Sequence, residues 1–261
     1  MNAMSKTRTA PVVDRVDGNW IPTPNAMGPF GGLHGGVVSG LLVSEMEVRG
    51  AAEGWGQPVS ATVYLVRPAP LEPFETVSEI VRGGARLTVV ENSIMAGGKL
   101  RSKASVAFLN DVPVPGILPP ATTSSDPDKL PAWSFEGGFS QPTYLSAVEV
   151  REAKDAGTIW VRPKQPLIPE GGVSFGQVMA IADYATLFAT YLGGERPKAA
   201  GWPNADISVH LSRAPKGEWV GVRPRSAWYP NGTGLTEAEL FDVDGWLGRS
   251  CQSVVLLPLP E

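Results

Sequence analysis

The chain has 261 residues, 43% apolar and 18% charged, the balance of an ordinary globular core rather than a disordered or fibrous chain. A formal net charge of −4 and a pI near 5.4 leave no broad basic field, which argues against nucleic acid and anionic membranes as partners. A single cysteine, Cys251, excludes an internal disulfide, and two distant histidines, His34 and His210, make no metal motif. No apolar run reaches the roughly 18 residues that a membrane span needs. The first residues also lack the apolar core of a secretion signal. A cytoplasmic protein with no metal and no cofactor is therefore expected.

A faint internal duplication organises the chain. The first copy opens with Gly31-Gly-Leu-His-Gly-Gly36 and runs into the apolar Val-Val-Ser-Gly-Leu-Leu, predicting a central helix that begins near Gly31. Ser60–Pro70 follows as an alternating stretch. Strands are expected at Glu75–Arg82, Leu87–Ala96 and Lys99–Leu109, with Gly97-Gly98 as a hairpin turn because both positions tolerate positive φ.

Asn110 to about Pro142 reads as linker: it carries Pro113, Pro115, Pro119 and Pro120 and a Thr-Thr-Ser-Ser-Asp-Pro-Asp run. The second copy then opens with Gly171-Gly-Val-Ser-Phe-Gly176, offset by 140 positions from Gly31 to Gly171, and predicts a second helix from near Gly171. Asp206–Pro215 alternates, with Ile207, Val209 and Leu211 on one face. Strands are expected at Glu218–Ala227, Gly234–Asp242 and Trp246–Leu257, with Asn231-Gly-Thr-Gly234 and Asp244-Gly245 as turns. The expected units are residues 10–110, a linker at 111–142, and residues 143–261.

Each half is then a strand, one long helix and an antiparallel meander. A helix wrapped by such a sheet is the hotdog fold, so the expected class is α+β, a double hotdog whose two sheets join edge to edge and cover exposed strand edges.

Here the sequence resembles the acyl-CoA thioesterase II family. The residues are Phe30-Gly-Gly, Tyr64-Leu-Val-Arg-Pro68 and Glu79-Ile-Val-Arg-Gly-Gly in the first half. In the second they are Ala182-Asp183-Tyr, Asn204-Ala-Asp206, Arg213-Ala-Pro, Glu218-Trp219 and Asp244-Gly245 through Gln252. The resemblance covers nearly all of Gly28–Leu257. It implies hydrolysis of acyl-CoA by an activated water held by Asp183, a hydroxyl position occupied here by Asn204, and Gln252. It also leaves room for a homo-oligomer formed through the sheets. Asn204 departs from the family's Thr or Ser, although an amide can also orient water.

The chemistry of the residues points the same way. Thioester hydrolysis needs an activated nucleophile and donors for the developing oxyanion. Amides of Gly35 and Gly36 at a helix start could supply donors, helped by the helix dipole. His34 reads either as a capping or packing residue or as a contact to the thioester or the coenzyme A arm. Asp183 stands alone in an apolar helix stretch, where charges are rarely buried unless paired. Its first-half counterpart is Val43, and those of Asn204 and Gln252 are Pro58 and Ser105, so one working site and one degenerate copy are expected. Glu45 and Glu47 are expected to be solvated, and Cys251 to be a buried structural residue on the sheet face opposite Gln252. Two other functions fit the same fold. A hotdog dehydratase needs a histidine paired with the helix acid, and the place of His34 among glycines argues against it. A non-catalytic acyl-CoA binding module is the alternative that the Asn204 departure keeps open.

Overall fold

The computed structural model describes residues 10–117, 125–133, 142–171, 174–192 and 196–259. In chain order the strands and helices are β1 (Val13–Val16), β2 (Asn19–Pro22), α1 (Gly35–Glu53), β3 (Gln57–Tyr64), β4 (Glu75–Arg82), β5 (Leu87–Ala96) and β6 (Lys99–Leu109). The second half has β7 (Val148–Ala153), β8 (Thr158–Pro163), α2 (Phe175–Ala182), α3 (Ala185–Leu192), β9 (Asp206–Leu211), β10 (Val220–Trp228), β11 (Thr233–Asp242) and β12 (Gly245–Val255). Ten strands form one sheet in the order β4-β5-β6-β3-β9-β12-β11-β10-β8-β7, every pair antiparallel. The helices lie against it, which is the double hotdog architecture. Ahead of the second helix, where one strand is expected, the chain forms a hairpin of two, β7–β8. Part of the expected linker is packed rather than free, for Trp133 is buried edge-on against Phe188. Gly172 and the stretch Thr122–Ser124 lie outside the described residues.

Period-two patterning explains the sheet. In β5, Thr88, Val90, Asn92 and Ile94 face inward, and in β6 Ser102, Ala104, Val106 and Phe108 do the same. The halves meet at β3 and β9, where Thr62 stands directly opposite Ser208 and the two hydroxyls lie 2.9 Å apart. An approximate two-fold axis passes through this pair, since the strand register that aligns Arg67 with Arg213 also aligns Thr62 with Ser208. The turn at Gly97-Gly98 is as expected, with φ of +58° and +67°. The turn after β11 is not: Asp242 pairs with Gly245, so Val243-Asp244 form the loop. The buried Asp242 carboxylate governs that corner, accepting from Arg213, from Lys216 N at 2.8 Å and from Asp244 N at 2.9 Å.

Both helices start four residues later than the glycine pairs predicted. Gly31 takes φ +79° and a bridge between Met27 and Leu33 holds the chain extended, so α1 begins only after its N-cap, His34. Ser174 caps α2 in the equivalent position. The second helix is also not one rod: it breaks at Asp183–Tyr184 into α2 and α3.

The helices α1 and α2 cross antiparallel through small residues. A Cβ at Gly40 would lie 2.8 Å from both Gly176 O and Ala180 Cβ, and one at Gly176 would lie 2.7 Å from Gly40 O. One at Gly36 would lie 3.1 Å from Asp183 Cβ. Backbones this close put each helix's acid within reach of the other's N-terminus. Glu47 on α1 accepts from Phe175 N at 2.9 Å and Gly176 N at 2.7 Å, so it is not solvated as expected. Burial raises its pKa against the lowering effect of those amides and of Ser174. Glu45 is engaged too, accepting from Asn92 Nδ2 at 2.9 Å with Arg15 at 3.5 Å. Cys251 lies on the face opposite Gln252, but that face is open and the thiol is exposed.

These contacts predict the effect of Gly176→Ala. Helix propensity alone would stabilise the variant by up to about 1 kcal/mol. Overpacking against backbone atoms of α1 costs roughly 1–3 kcal/mol. The urea midpoint is expected to fall, and a higher midpoint would show that the crossing is looser than described.

Candidate active site

The site forms where the start of α1 meets the break between α2 and α3. His34 precedes the helix with extended backbone angles, and Gly35 and Gly36 open its first turn. Asp183 terminates α2 opposite them. Its Oδ2 accepts from Gly36 N at 2.7 Å and lies 3.0 Å from His34 Nδ1, while Oδ1 accepts from Asn204 Nδ2 at 2.7 Å. A Cβ at Gly35 would sit 3.0 Å from Oδ1, so the bare glycine is what lets the carboxylate approach the helix start. Four of the expected site residues from the two halves are thus in direct contact, with Gly35 packed against them.

His34 Nδ1 also lies 3.1 Å from Gly36 N. A ring nitrogen either accepts or donates at one time. The Gly36 N–H is already met by a carboxylate oxygen at a shorter distance, so Nδ1–H is best assigned as donor to Asp183 Oδ2. The histidine is therefore paired with the helix acid, and its place among glycines is no obstacle, contrary to the expectation from sequence. The Gly36 amide, expected to face a substrate carbonyl, is instead committed to Asp183.

Electrostatics follow from these partners. Burial pushes the pKa of Asp183 up, but attraction to His34 and bonds from His34, Asn204 and Gly36 outweigh it. The net shift is downward from the ordinary value of 3.8. The group is an ionised carboxylate at neutral pH. Around His34 stand Tyr184, with ring centroids 4.9 Å apart, and Tyr144, at 5.4 Å, which stack on each other. Burial raises both phenols, so both stay protonated.

The break in the second helix has a cause other than glycine or proline. Gln252 Nε2 takes the carbonyl of Ala182, and Asn204 Nδ2 reaches that of Asp183 at 3.3 Å. These carbonyls would otherwise accept from the next turn, so the two side chains satisfy the gap in the ladder. Gln252 makes no bond to Asp183 itself. It points inward, 1% exposed, and its Oε1 lies 2.9 Å from Thr186 Oγ1. Thr186 also lies 3.0 Å from Asn204 Oδ1 and 3.2 Å from Thr236 Oγ1. Sequence reading missed Thr186, Tyr184 and Tyr144. The available signal for Thr186 was its spacing three residues after Asp183, which puts both on one side of a helix.

No group of His, Cys, Asp and Glu among the described residues could hold a metal ion, and no described helix is long and apolar enough to cross a membrane.

Comparison with known proteins agrees with this architecture. Residues 23–109 match the family model of the acyl-CoA thioesterase N-terminal domain, and residues 115–256 that of the acyl-CoA thioesterase C-terminal domain. No curated protein sequence matches the chain significantly. Among solved structures, a proposed thioesterase from Novosphingobium aromaticivorans is similar at 20% identity and TM-score 0.71, over 95% of this chain and 99% of its own. A hot dog fold protein of unknown function from Alicyclobacillus acidocaldarius superposes at 16% identity and TM-score 0.70, over 95% and 96% of the two chains. An acyl-CoA thioesterase II from Mycobacterium marinum does so at 14% identity and TM-score 0.67, over 95% and 96%. These likenesses concern the fold. Two domain matches covering most of the sequence, set on a double hotdog, place this chain in the acyl-CoA thioesterase family.

Proposed function

We propose that the protein hydrolyses an acyl-CoA thioester to free acid and coenzyme A with one site at the start of α1, in a cytoplasmic setting that the free, exposed Cys251 suits. The observation that carries this reading is the contact of Asp183 with His34 and Gly36 across the two halves. A carboxylate with a lowered pKa is a weak proton acceptor by itself. It is well suited to hold Nδ1–H of an imidazole, which leaves Nε2 to take a proton from the attacking water. Asn204 steadies the other carboxylate oxygen. Balanced as a reaction, water adds its oxygen to the thioester carbon, His34 takes the proton, and the collapsing intermediate expels the coenzyme A thiolate, which regains that proton.

The pairing of His34 with the helix acid also favours a second reading, reversible dehydration of a 3-hydroxyacyl thioester. The two separate cleanly, because one releases thiol and the other changes enoyl absorbance without thiol release.

Thiol release from a panel of acyl-CoAs is the test. Asp183→Asn and His34→Ala should each lower kcat by about 10² or more. The double variant should fall little further, as expected for groups acting as one unit. Mild loss in His34→Ala beside severe loss in Asp183→Asn would make the carboxylate itself the base. Enoyl-CoA hydration with no thiol release would replace the hydrolase reading.

Glu47→Gln should keep turnover within about threefold of the parent. The reason is that Ser174 stands there in place of the imidazole. A loss matching that of Asp183→Asn would mean that the other helix crossing is the working site.

Asp183 also carries a pH signature. A depressed carboxylate stabilises the fold above its unfolded pKa of about 4 and loses that contribution as pH falls through the lower folded value. The stability gap between parent and Asp183→Asn should therefore be full at pH 7 and shrink in strong acid. A gap that widens below pH 4 would contradict the assigned direction.

A further inference from the structure

Thr186 is buried on α3 with one hydroxyl proton and three oxygen neighbours: Gln252 Oε1 at 2.9 Å, Asn204 Oδ1 at 3.0 Å and Thr236 Oγ1 at 3.2 Å. A hydroxyl can donate once and accept from others. Gln252 does not need it for orientation, because its Nε2 is anchored on the Ala182 carbonyl. Asn204 does, because its amide must present Nδ2 to Asp183 at 2.7 Å. Beyond Thr236 lies the half-buried Ser226, its Oγ 2.6 Å from Thr236 Oγ1. Thr186 is placed as donor toward all three neighbours, and giving its one proton to Asn204 makes a series in which Thr186 donates to Asn204 and Asn204 to Asp183. Every donor then points toward the one negative charge, and each bond polarises the next.

We propose that Thr186 is a positioning residue, whose hydroxyl holds the Asn204 amide with its donor on Asp183 and so supports the carboxylate that pairs with His34. The proposal rests on the reading of that pair as the working site. If the hydroxyl is lost, the amide has no donor on Oδ1 and can turn over, which removes a bond that favours the ionised acid. The other titratable groups facing Asp183 are His34 from the start of α1, Tyr144 from the turn Tyr144–Ala147, and Tyr184 beside it on the chain. None of them is altered by a change at Thr186, so a shift in Asp183 reports the Asn204 bond.

The test is a 13C-NMR titration of the Asp183 carboxyl in the full chain, with kcat measured against pH in parallel. Thr186→Val, which keeps the shape and removes the hydroxyl, is expected to raise the Asp183 midpoint by about one pH unit and lower kcat about tenfold with little change in KM. Thr186→Ser should restore both. Thr190→Val, on the same helix with its hydroxyl bonded to the Leu187 carbonyl, should leave the midpoint in place. An unchanged midpoint in Thr186→Val, or a Thr186→Ser variant as displaced as the valine, would overturn the proposal. Should Thr186→Val fail to fold, Thr186→Ala decides: a raised midpoint supports the Thr186–Asn204 bond, and an unchanged one overturns it. The titration needs no substrate. A protein inactive on every acyl-CoA would therefore sink the hydrolase reading while the midpoint still judges Thr186.

Discussion

The close antiparallel crossing of α1 and α2 is the constraint on which the rest depends. Gly36 and Gly40 on one helix face Gly176 and Ala180 on the other, and no larger side chain fits between them. At ordinary interhelical separation, about 8–10 Å, a short carboxylate could not reach the neighbouring helix start. With the backbones this near, Asp183 meets the amide of Gly36, and Glu47 meets those of Phe175 and Gly176. An acid thus sits at each helix N-terminus, where the dipole favours negative charge. The approximate two-fold symmetry yields two acid–helix contacts, and differences between the halves decide what each can do.

Those differences are concentrated in the second helix. On α1 the ladder is unbroken for 19 residues, and the acid that reaches across is Glu47, one turn beyond the position equivalent to Asp183. On the other side Asn204 and Gln252 capture two carbonyls, the helix breaks, and Asp183 swings to the start of α1. The N-caps differ as well, His34 in one case and Ser174 in the other. One crossing therefore holds an imidazole–carboxylate pair backed by amide donors. The other is a carboxylate bonded to backbone amides, with Ser174 where the first has its imidazole.

Much of this was legible from sequence wherever a local rule operated. Strands β4, β5 and β6 follow from strict alternation and the Gly97-Gly98 turn, and their ends agree with the expected residues. Asp183 stands out as a lone charge in an apolar helix, whereas Asn204 and Gln252 enter through the family resemblance and the strand register gives only their first-half counterparts. What escaped depends on contacts between distant segments. The helix break has no glycine or proline to announce it, because its cause is two amides arriving from other parts of the chain. Glu47 read as solvated, since nothing local shows that α2 starts against it. The His34–Asp183 pair escapes a reading in which the glycines around His34 argue against pairing with the helix acid, whereas here they are what permits the approach. Thr186 has only its spacing from Asp183 to mark it, because its three oxygen neighbours come from Asn204, β11 and β12.

The most direct measurement is a crystal structure of the protein with a non-hydrolysable thioether analogue of an acyl-CoA. The account predicts that the carbon corresponding to the thioester carbonyl lies at the start of α1, beside His34 and Asp183 and within about 4 Å of the imidazole. Density for that carbon beside Glu47 and Ser174, with the start of α1 empty, would contradict it.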